Sequence, residues 1–308
     1  MKAKVETLSL YQFLKRIPDE QSARKYFEDM RWARGRYCPH CHSTNTVHIE
    51  NEKPQPYRCK DCRKHFSVRT GTVLMSSNMP LQKWLLAAYL MNTAKKGVSS
   101  CQMARELGVT QKTAWLLCHK VREIWTTPSL PFTGEVEADE TYLGGKEKNK
   151  HNSRKLNVGR GIVGKQVVLG ARERSGKVTA LTATSTEQEV IHDFITKHVY
   201  PGARLYTDDH RSYLGLKGYD HESLNHSAGE YVRNQAHTNG IESFWALLKR
   251  GYYGTFHHFS LKHADRYVNE FATRTNQRAC DTVDVLAITA KGVTGKLLPY
   301  KELVYGRT

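Results

Sequence analysis

The chain has 308 residues, of which 39% are hydrophobic and 25% charged, a composition that builds folded domains and excludes a disordered tail. This length predicts about two or three domains. The 47 Lys and Arg residues outnumber the 30 Asp and Glu residues and give a formal charge of +17, which predicts a polyanionic partner, nucleic acid first and an acidic membrane surface second.

Export and membrane insertion are not predicted. The longest apolar run, residues 84–91, has eight residues, far fewer than the roughly 20 that span a bilayer. The N-terminus carries Glu6 and Asp19 and lacks a basic stretch followed by an apolar one, so we expect no secretory signal. Four of the seven cysteines form two tight pairs, which favours a metal site in a reducing compartment over a disulfide framework.

The N-terminal region is predicted to be helical and basic. Residues 8–32 place apolar side chains at helical spacing, and we assign residues 1–34 to an N-terminal helical segment. Through Phe132 the chain carries 22 basic and 10 acidic residues (22 − 10 = +12), and the remainder carries 25 and 20 (25 − 20 = +5). A boundary is predicted in residues 126–131, where two prolines end the helical pattern.

Two Cys-x-x-Cys pairs, Cys38 with Cys41 and Cys59 with Cys62, are separated by 17 residues (59 − 41 − 1 = 17). Each such turn directs two thiolates at one point, and two turns complete a tetrahedral shell. Residues 35–75 are therefore predicted to be a zinc ribbon with one structural Zn²⁺ per chain, which supplies much of the folding free energy of so small a segment. The alternative ligands are three nearby histidines, each of which would replace a cysteine: His40, His42 and His65.

Residues 80–127 are predicted to form a helix-turn-helix segment. Ser99, followed three residues later by Gln102, is typical of a capping box. Gly108 provides the turn and Thr110 caps the second helix. An ordinary helical hairpin is the alternative interpretation.

The second helix of this segment carries the candidate DNA-contacting residues. The exposed N-terminal end of a recognition helix touches base edges, which selects Gln111, Lys112 and Thr113. Two lone cysteines, Cys101 and Cys118, occupy apolar helical positions and are predicted to lie in the core.

After residue 133 the hydrophobic period changes from helical to alternating. Strand patterns at 135–139, 161–173 and 177–184 precede a helix at 186–198, and strands at 203–207 and 222–226 precede a helix at 238–250. This order is typical of an α/β domain. We place that domain at 133–280 and treat 281–308 as a C-terminal tail.

Three acidic residues stand where strands end or a helix begins. Asp139 and Asp208 end predicted strands, and Glu242 lies one turn inside a predicted helix. Such carboxylates hold two divalent ions about 3.5–4 Å apart, which stabilise the attacking and leaving oxygens of a phosphoryl transfer. Oxygen ligands select Mg²⁺ or Mn²⁺. Lys249 follows Glu242 by seven residues (249 − 242 = 7), on the same helix face, where it is suited to hold a phosphate.

In combination these features resemble the zinc-ribbon insertion-sequence transposases of the DDE type, and the resemblance covers nearly the whole chain. It depends on the ribbon and on four stretches of sequence: residues 139–145 (DETYLGG), 206–208 (YTD), 237–245 (HTNGIESFW) and 248–250 (LKR). The catalytic domain of that family has the RNase H-like fold of retroviral integrases. The resemblance therefore implies an α/β catalytic domain with a mixed sheet and flanking helices, preceded by the zinc ribbon and the helix-turn-helix segment.

The resemblance also implies Asp139, Asp208 and Glu242 as ligands of two catalytic Mg²⁺ or Mn²⁺ ions, with Lys249 beside them. Water would cut the ends of the element, and the freed 3′-hydroxyl would attack target DNA without a covalent enzyme intermediate. The implied partners are double-stranded DNA, as terminal repeats and as target, and further copies of the chain on paired ends, with no membrane. A cytoplasmic, nucleoid-associated protein of bacterial type is expected.

The residues around the acidic positions leave alternatives. Asp209 competes with Asp208 for the second metal position, and we favour Asp208 because it follows the apolar strand directly. Glu137 and Glu140 flank Asp139 and are expected to be structural or solvated charges, with contact to a metal through water as the alternative.

Two other groups of residues are candidate DNA contacts. The basic loop at 146–155 follows the first acidic strand and is expected to contact phosphates through Lys146, Lys148 and Lys150. Four aromatic residues are a candidate stacking surface for an unpaired base: Trp245, Tyr252, Tyr253 and Phe256. Phe244 and Trp245 are more simply interpreted as core.

Two further functions compete with transposition. A zinc-dependent transcription regulator would use the ribbon and the helix-turn-helix segment, but it has no need of the three carboxylates. An RNase H-like nuclease would cut without joining, and only a strand-transfer product distinguishes the two enzymes.

Overall fold

The computed structural model describes residues 7–126, 130–145, 151–155, 164–224 and 238–306. The chain divides into two compact units: Met1–Trp125 together with Ala279–Thr308, and Thr126–Arg278. Within the described ranges, no helix combines the length and the apolar character that crossing a membrane requires.

The helices and strands are numbered in chain order. The helices are α1 (Leu10–Arg16), α2 (Glu20–Arg31), α3 (Leu81–Thr93), α4 (Ser100–Leu107), α5 (Gln111–Trp125), α6 (Gln188–His198), α7 (Asn239–Gly251), α8 (Leu261–Asn276), α9 (Thr282–Lys291) and α10 (Tyr300–Tyr305). The strands are β1 (Thr46–His48), β2 (Tyr57–Cys59), β3 (His65–Phe66), β4 (Glu135–Leu143), β5 (Gln166–Glu173), β6 (Val178–Ala183), β7 (Arg204–Asp208) and β8 (Asp220–Leu224).

In the first unit, the helical pattern of residues 8–32 forms two helices because each has its own N-terminal cap. The Ser9 hydroxyl accepts a hydrogen bond from the Gln12 amide, and the Asp19 carboxylate accepts one from the Ser22 amide at 2.7 Å. The ribbon that follows is a small antiparallel sheet in the order β1-β2-β3.

The helix-turn-helix segment has the predicted turn. Gly108 ends α4 with φ 59°, in the left-handed region that glycine tolerates best. Ser99 caps α4 and Thr110 caps α5 through their hydroxyls. The core prediction is confirmed for Cys118, which is buried, and wrong for Cys101, which is exposed.

The predicted C-terminal tail is instead two helices of the first unit. The Trp125 indole nitrogen donates to the Thr289 hydroxyl on α9 at 2.9 Å, and the Val73 amide donates to the Val293 carbonyl at 3.1 Å. Leu286 of α9 is buried in the same core as the first five helices and the ribbon. Residues 281–306 therefore differ from a tail because α9 has an apolar face that this core buries.

The second unit is built on a mixed sheet in the order β6-β5-β4-β7-β8. Strand β4 pairs antiparallel with β5 and parallel with β7. One face packs against α7 and α8 through a core that includes Val168, Ile241 and Phe271. The other face packs against α6 through a core that includes Leu205 and Ile195. A mixed sheet with flanking helices is the predicted architecture.

Candidate metal centres and active site

The four ribbon cysteines converge on one point. Cys38 Sγ lies 3.6 Å from Cys62 Sγ, and Cys41 Sγ lies 3.6 Å from Cys59 Sγ. A tetrahedral zinc with Zn–S bonds of about 2.3 Å spaces its sulfurs by about 3.8 Å, so the thiols fit a structural zinc. All four ligand atoms lie within 4.8 Å of one another, and this set contains cysteines alone rather than any of the three alternative histidines.

The backbone and neighbouring side chains hold the two cysteine turns in place. His42 and Arg63 each follow the second cysteine of a pair and have φ of 60° and 61°, so both turns have the same shape. Asp61 accepts hydrogen bonds from the Ser43 hydroxyl and from the Asn45 amide group, the latter at 2.8 Å, which ties the two turns together. Backbone amides lower the pKa of the Cys59 thiol to about 7, which favours the thiolate that binds metal.

We expect one zinc per chain in the purified protein and loss of that zinc in Cys38→Ser, because three thiolates leave the tetrahedral shell open. Metal analysis by inductively coupled plasma mass spectrometry measures the ratio. Cys101→Ser is the matched control, since Cys101 is exposed and outside the cluster. A folded Cys38→Ser protein with full zinc content would contradict the assignment.

The candidate DNA-contacting residues of α5 lie at its first turn. Gln111 and Lys112 are exposed, and Thr113 is half-buried. Gln111 donates to the Ser100 hydroxyl at 2.8 Å, and the Lys112 ammonium lies 4.9 Å from the centre of the Tyr300 ring. Tyr300 begins α10, so the supposed tail contributes to this surface. The other proposed phosphate contacts, Lys146, Lys148 and Lys150, lie outside the described residues.

Two of the three acidic residues are neighbours across the sheet. Strands β4 and β7 pair Glu137 with Tyr206, and extending this register by two residues sets Asp139 level with Asp208 on the same face. Asp208 is the last residue of β7, whereas Asp209 lies beyond the strand and is exposed. The strand-end position therefore belongs to Asp208.

The electrostatics of Asp139 favour a cation beside its carboxylate. Burial, together with the charges of Glu140 and Asp208, raises the pKa of Asp139 to about 7. A buried carboxylate beside like charges is costly unless a positive charge joins it. The residues therefore fit a divalent cation.

Helix α7, which packs on the sheet face of Asp139 and Asp208, carries the third carboxylate, that of Glu242. Glu242 is exposed and accepts a hydrogen bond from the Thr238 hydroxyl at 3.2 Å. Three residues further, the Trp245 indole nitrogen donates to Asp139 Oδ2 at 2.9 Å. Lys249 lies on the same face of α7, about 10.5 Å along the helix from Glu242. Among the described residues, the thiols alone form a set of three or more ligands within 4.8 Å, so the three carboxylates are spread more widely than ligands of one ion.

Some functional contacts are not predicted by the sequence. Trp245 is buried, as its interpretation as core requires, but its nitrogen also orients Asp139. Gly170 pairs with Asp139 across the sheet, and a Cβ there would lie 2.5 Å from the Trp245 ring. Glu140 accepts a hydrogen bond from the buried Tyr213 hydroxyl at 2.9 Å, which supports the structural interpretation of that charge.

Of the candidate stacking residues, Tyr253 is the exposed one. Its hydroxyl donates to the Gly144 carbonyl at 3.0 Å, just beyond the end of β4. Tyr252 is buried, and Phe256 is packed against the α7–α8 core.

Comparison with known proteins adds an independent observation. Residues 131–276 match the family model described as "ISXO2-like transposase domain", and residues 18–65 match "Transposase zinc-ribbon domain". The chain is also 29% identical over 250 residues, covering 77% of this chain and 84% of the relative, to a Halobacterium salinarum protein described as "Uncharacterized protein in transposable element ISH50". The first match contains the three acidic residues and the second contains the four ribbon cysteines.

Proposed function

Because the chain belongs to the zinc-ribbon insertion-sequence transposases of the DDE type, we propose that it binds the ends of its element and catalyses metal-dependent strand cleavage and strand transfer. The observation that supports this most is the parallel register of β4 and β7, which pairs Glu137 with Tyr206 and, when continued by two residues, brings Asp139 level with Asp208. The sheet face that carries both aspartates lies under α7, the helix of Glu242.

In this proposal Asp139, Asp208 and Glu242 hold two Mg²⁺ or Mn²⁺ ions, since oxygen ligands select these metals. When bound, the ions stabilise charge on the attacking and leaving oxygens. Trp245 fixes the orientation of the Asp139 carboxylate through the indole hydrogen bond. Lys249 contributes a cation two turns along α7, where it meets a DNA phosphate.

The reaction has two steps that share one site. In cleavage, water forms a bond to phosphorus and the P–O3′ bond breaks, which leaves a 3′-hydroxyl and a 5′-phosphate. In strand transfer, that 3′-hydroxyl forms a bond to a target phosphorus, and a target 3′-oxygen leaves as a hydroxyl. Neither step needs a covalent bond to the protein, so the carboxylates position and neutralise rather than attack.

The ribbon and the helix-turn-helix segment are proposed to bind the element ends, and the first 132 residues carry the larger positive charge (22 − 10 = +12). Assembly of several copies on paired ends is part of the same proposal.

The decisive experiment incubates the protein with DNA that carries an element end and with Mg²⁺, and sequences both cut and joined products. Cut and joined products that disappear in Asp208→Asn would support the proposal. Cut ends without joined products would indicate a nuclease, and binding without cutting would indicate a regulator. Asp209→Asn is the matched control, because that side chain lies beyond β7.

We expect Lys112→Ala to weaken binding to an element end, by about 5-fold to 150-fold if the ammonium reaches a base edge. Fluorescence anisotropy with end DNA and with scrambled DNA, at several salt concentrations, separates a base contact from a phosphate contact. Loss of a base contact reduces the specificity for the element end. Loss of a phosphate contact weakens binding to both DNAs equally and lowers the salt dependence of binding. Lys25→Ala removes another exposed lysine, on α2, and is the control.

A further inference from the structure

Glu137 is a buried carboxylate that the proposed chemistry does not use. Its side chain is 3% exposed, at the centre of the sheet on β4. Oε2 accepts a hydrogen bond from the Ile241 amide at 2.8 Å, and Oε1 lies 3.4 Å from Arg174 Nε. Charges this deeply buried persist in proteins only when such partners satisfy them, so the contacts of Glu137 define its role.

The partner at Oε2 is the first turn of α7. The first amides of a helix lack partners within the helix, and the side chain before it usually accepts from the third residue. In the part of the chain that the structure describes, Thr238 provides no such cap to α7, and its hydroxyl instead donates to Glu242. The amide of the third residue, Ile241, donates to Glu137. A carboxylate from the sheet therefore caps this helix, and the helix dipole favours its charge.

The fit between this turn and the sheet is close. A Cβ at Gly240 would lie 2.5 Å from Glu137 Oε2 and 2.9 Å from Arg172 Nη1, so only glycine lets the turn approach. The Arg172 guanidinium also donates to the Gly240 carbonyl. The sheet thus holds the first turn of α7 at two backbone groups, the Ile241 amide and the Gly240 carbonyl.

This attachment joins the two elements that carry the proposed metal ligands. Glu137 precedes Asp139 by two residues on the same strand face, and Ile241 directly precedes Glu242. Both carboxylate oxygens of Glu137 contact protein groups, Oε2 the Ile241 amide and Oε1 the Arg174 guanidinium. These contacts argue against Glu137 as a metal ligand. We infer that Glu137 is a positioning residue, which caps α7 and so fixes Glu242 relative to the two aspartates. This inference rests on the proposed function.

The test compares Glu137→Ala with Glu137→Gln in the full-length protein. We expect Glu137→Ala to lower the kcat of end cleavage by about 10-fold to 100-fold, as loss of a group that orients a ligand does, with little change in the KM for DNA. Glu137→Gln should recover much of this loss, because its amide oxygen still accepts from Ile241. Gly240→Ala should reproduce the defect by pushing the turn away. Glu173→Ala is the control, since this carboxylate of the neighbouring strand β5 accepts instead from Gly134 and Ser175.

Two readouts do not depend on DNA cleavage. Hydrogen exchange at the Ile241 amide should accelerate in Glu137→Ala and stay slow in Glu137→Gln and Glu173→Ala. Iron-directed cleavage of the protein backbone, with Fe²⁺ replacing Mg²⁺, ascorbate and peroxide, should cut wild type near residues 139, 208 and 242. In Glu137→Ala the cut near residue 242 should be lost while the other two remain.

Unchanged exchange at Ile241, or an unchanged iron cut near residue 242, would overturn the inference. Failure of the proposed function gives a different result, in which wild type itself shows no iron cuts near residues 139 and 208. Hydrogen exchange still tests the cap in that case. If Glu137→Ala does not fold, the comparison of Glu137→Gln and Gly240→Ala with Glu173→Ala decides.

Discussion

Asp139→Asn should abolish end cleavage and, in metal-free buffer, should be more stable than wild type. The substitution removes a buried charge that lies beside Asp208 and Glu140. The amide oxygen still accepts from the Trp245 indole, although the Glu140 amide loses its acceptor, Asp139 Oδ1. We expect a gain in unfolding free energy of roughly 1–4 kcal/mol near neutral pH. Thermal unfolding in EDTA measures the gain, and the end-cleavage assay measures the loss.

The pH dependence of this gain has a definite sign. The pKa of Asp139 is raised from 3.8 to about 7 in the folded state, so folded wild type holds a proton that the unfolded chain has released. Wild type therefore loses stability as pH rises from about 4 to about 7, and the advantage of Asp139→Asn grows over that range and is constant above it. Added Mg²⁺ should stabilise wild type and not the variant.

The control for this prediction is Asp193→Asn, which removes an exposed carboxylate paired with Lys197 on α6. Such surface pairs contribute little, so its stability and its cleavage should match wild type. If the Asp139→Asn protein proves less stable than wild type at pH 7 in EDTA, that result would contradict the proposed electrostatics.

Gly170→Ala should destabilise the second unit and impair cleavage although Gly170 is buried and has no side chain. The new methyl group would lie 2.5 Å and 2.7 Å from two atoms of the Trp245 six-membered ring, and overpacking of this kind costs about 1–3 kcal/mol. Relief requires Trp245 to move, which breaks its hydrogen bond to Asp139. Denaturant unfolding and the end-cleavage assay give the two effects.

A double-mutant cycle identifies the cause. Phenylalanine lacks the two ring atoms that the methyl group meets, so Gly170→Ala in a Trp245→Phe background should cost less stability than in wild type. Cleavage should stay low in both Trp245→Phe proteins, since neither has the indole donor. Gly134→Ala, whose methyl group would make an ordinary contact of 3.5 Å with Glu173, is the control. Equal costs of Gly170→Ala in the two backgrounds would exclude the steric explanation.

The sequence predicts the elements that carry strong local patterns. The paired cysteines predict the ribbon, the Gly108 turn predicts the helix-turn-helix segment, and the alternation of strands and helices predicts the α/β unit. The assignment of Asp139, Asp208 and Glu242 as metal ligands stays a prediction, although the register of β4 and β7 supports it.

What the sequence does not predict depends on contacts between distant residues. In the sequence, nothing distinguishes Glu137 from the other acidic residues of its strand. Its role depends on a contact with Ile241 of α7, which lies 104 residues later in the chain. Gly170 has no local pattern that distinguishes it from a turn glycine, because its role comes from Trp245 on another element. The segment 281–308 resembles a tail in sequence because its amphipathic helix is short and its partners lie at the other end of the chain.

The first unit contains both the first 125 residues and the segment from residue 279 onward, with the second unit inserted between them. Its core includes Leu286, Val293 and Leu303, so this fold cannot be completed on the ribosome until α9 and α10 have emerged. The ribosome therefore synthesises the whole second unit before the first unit is complete. Under the proposed function, synthesis of α9 and α10 sets the moment at which the protein can first bind an element end.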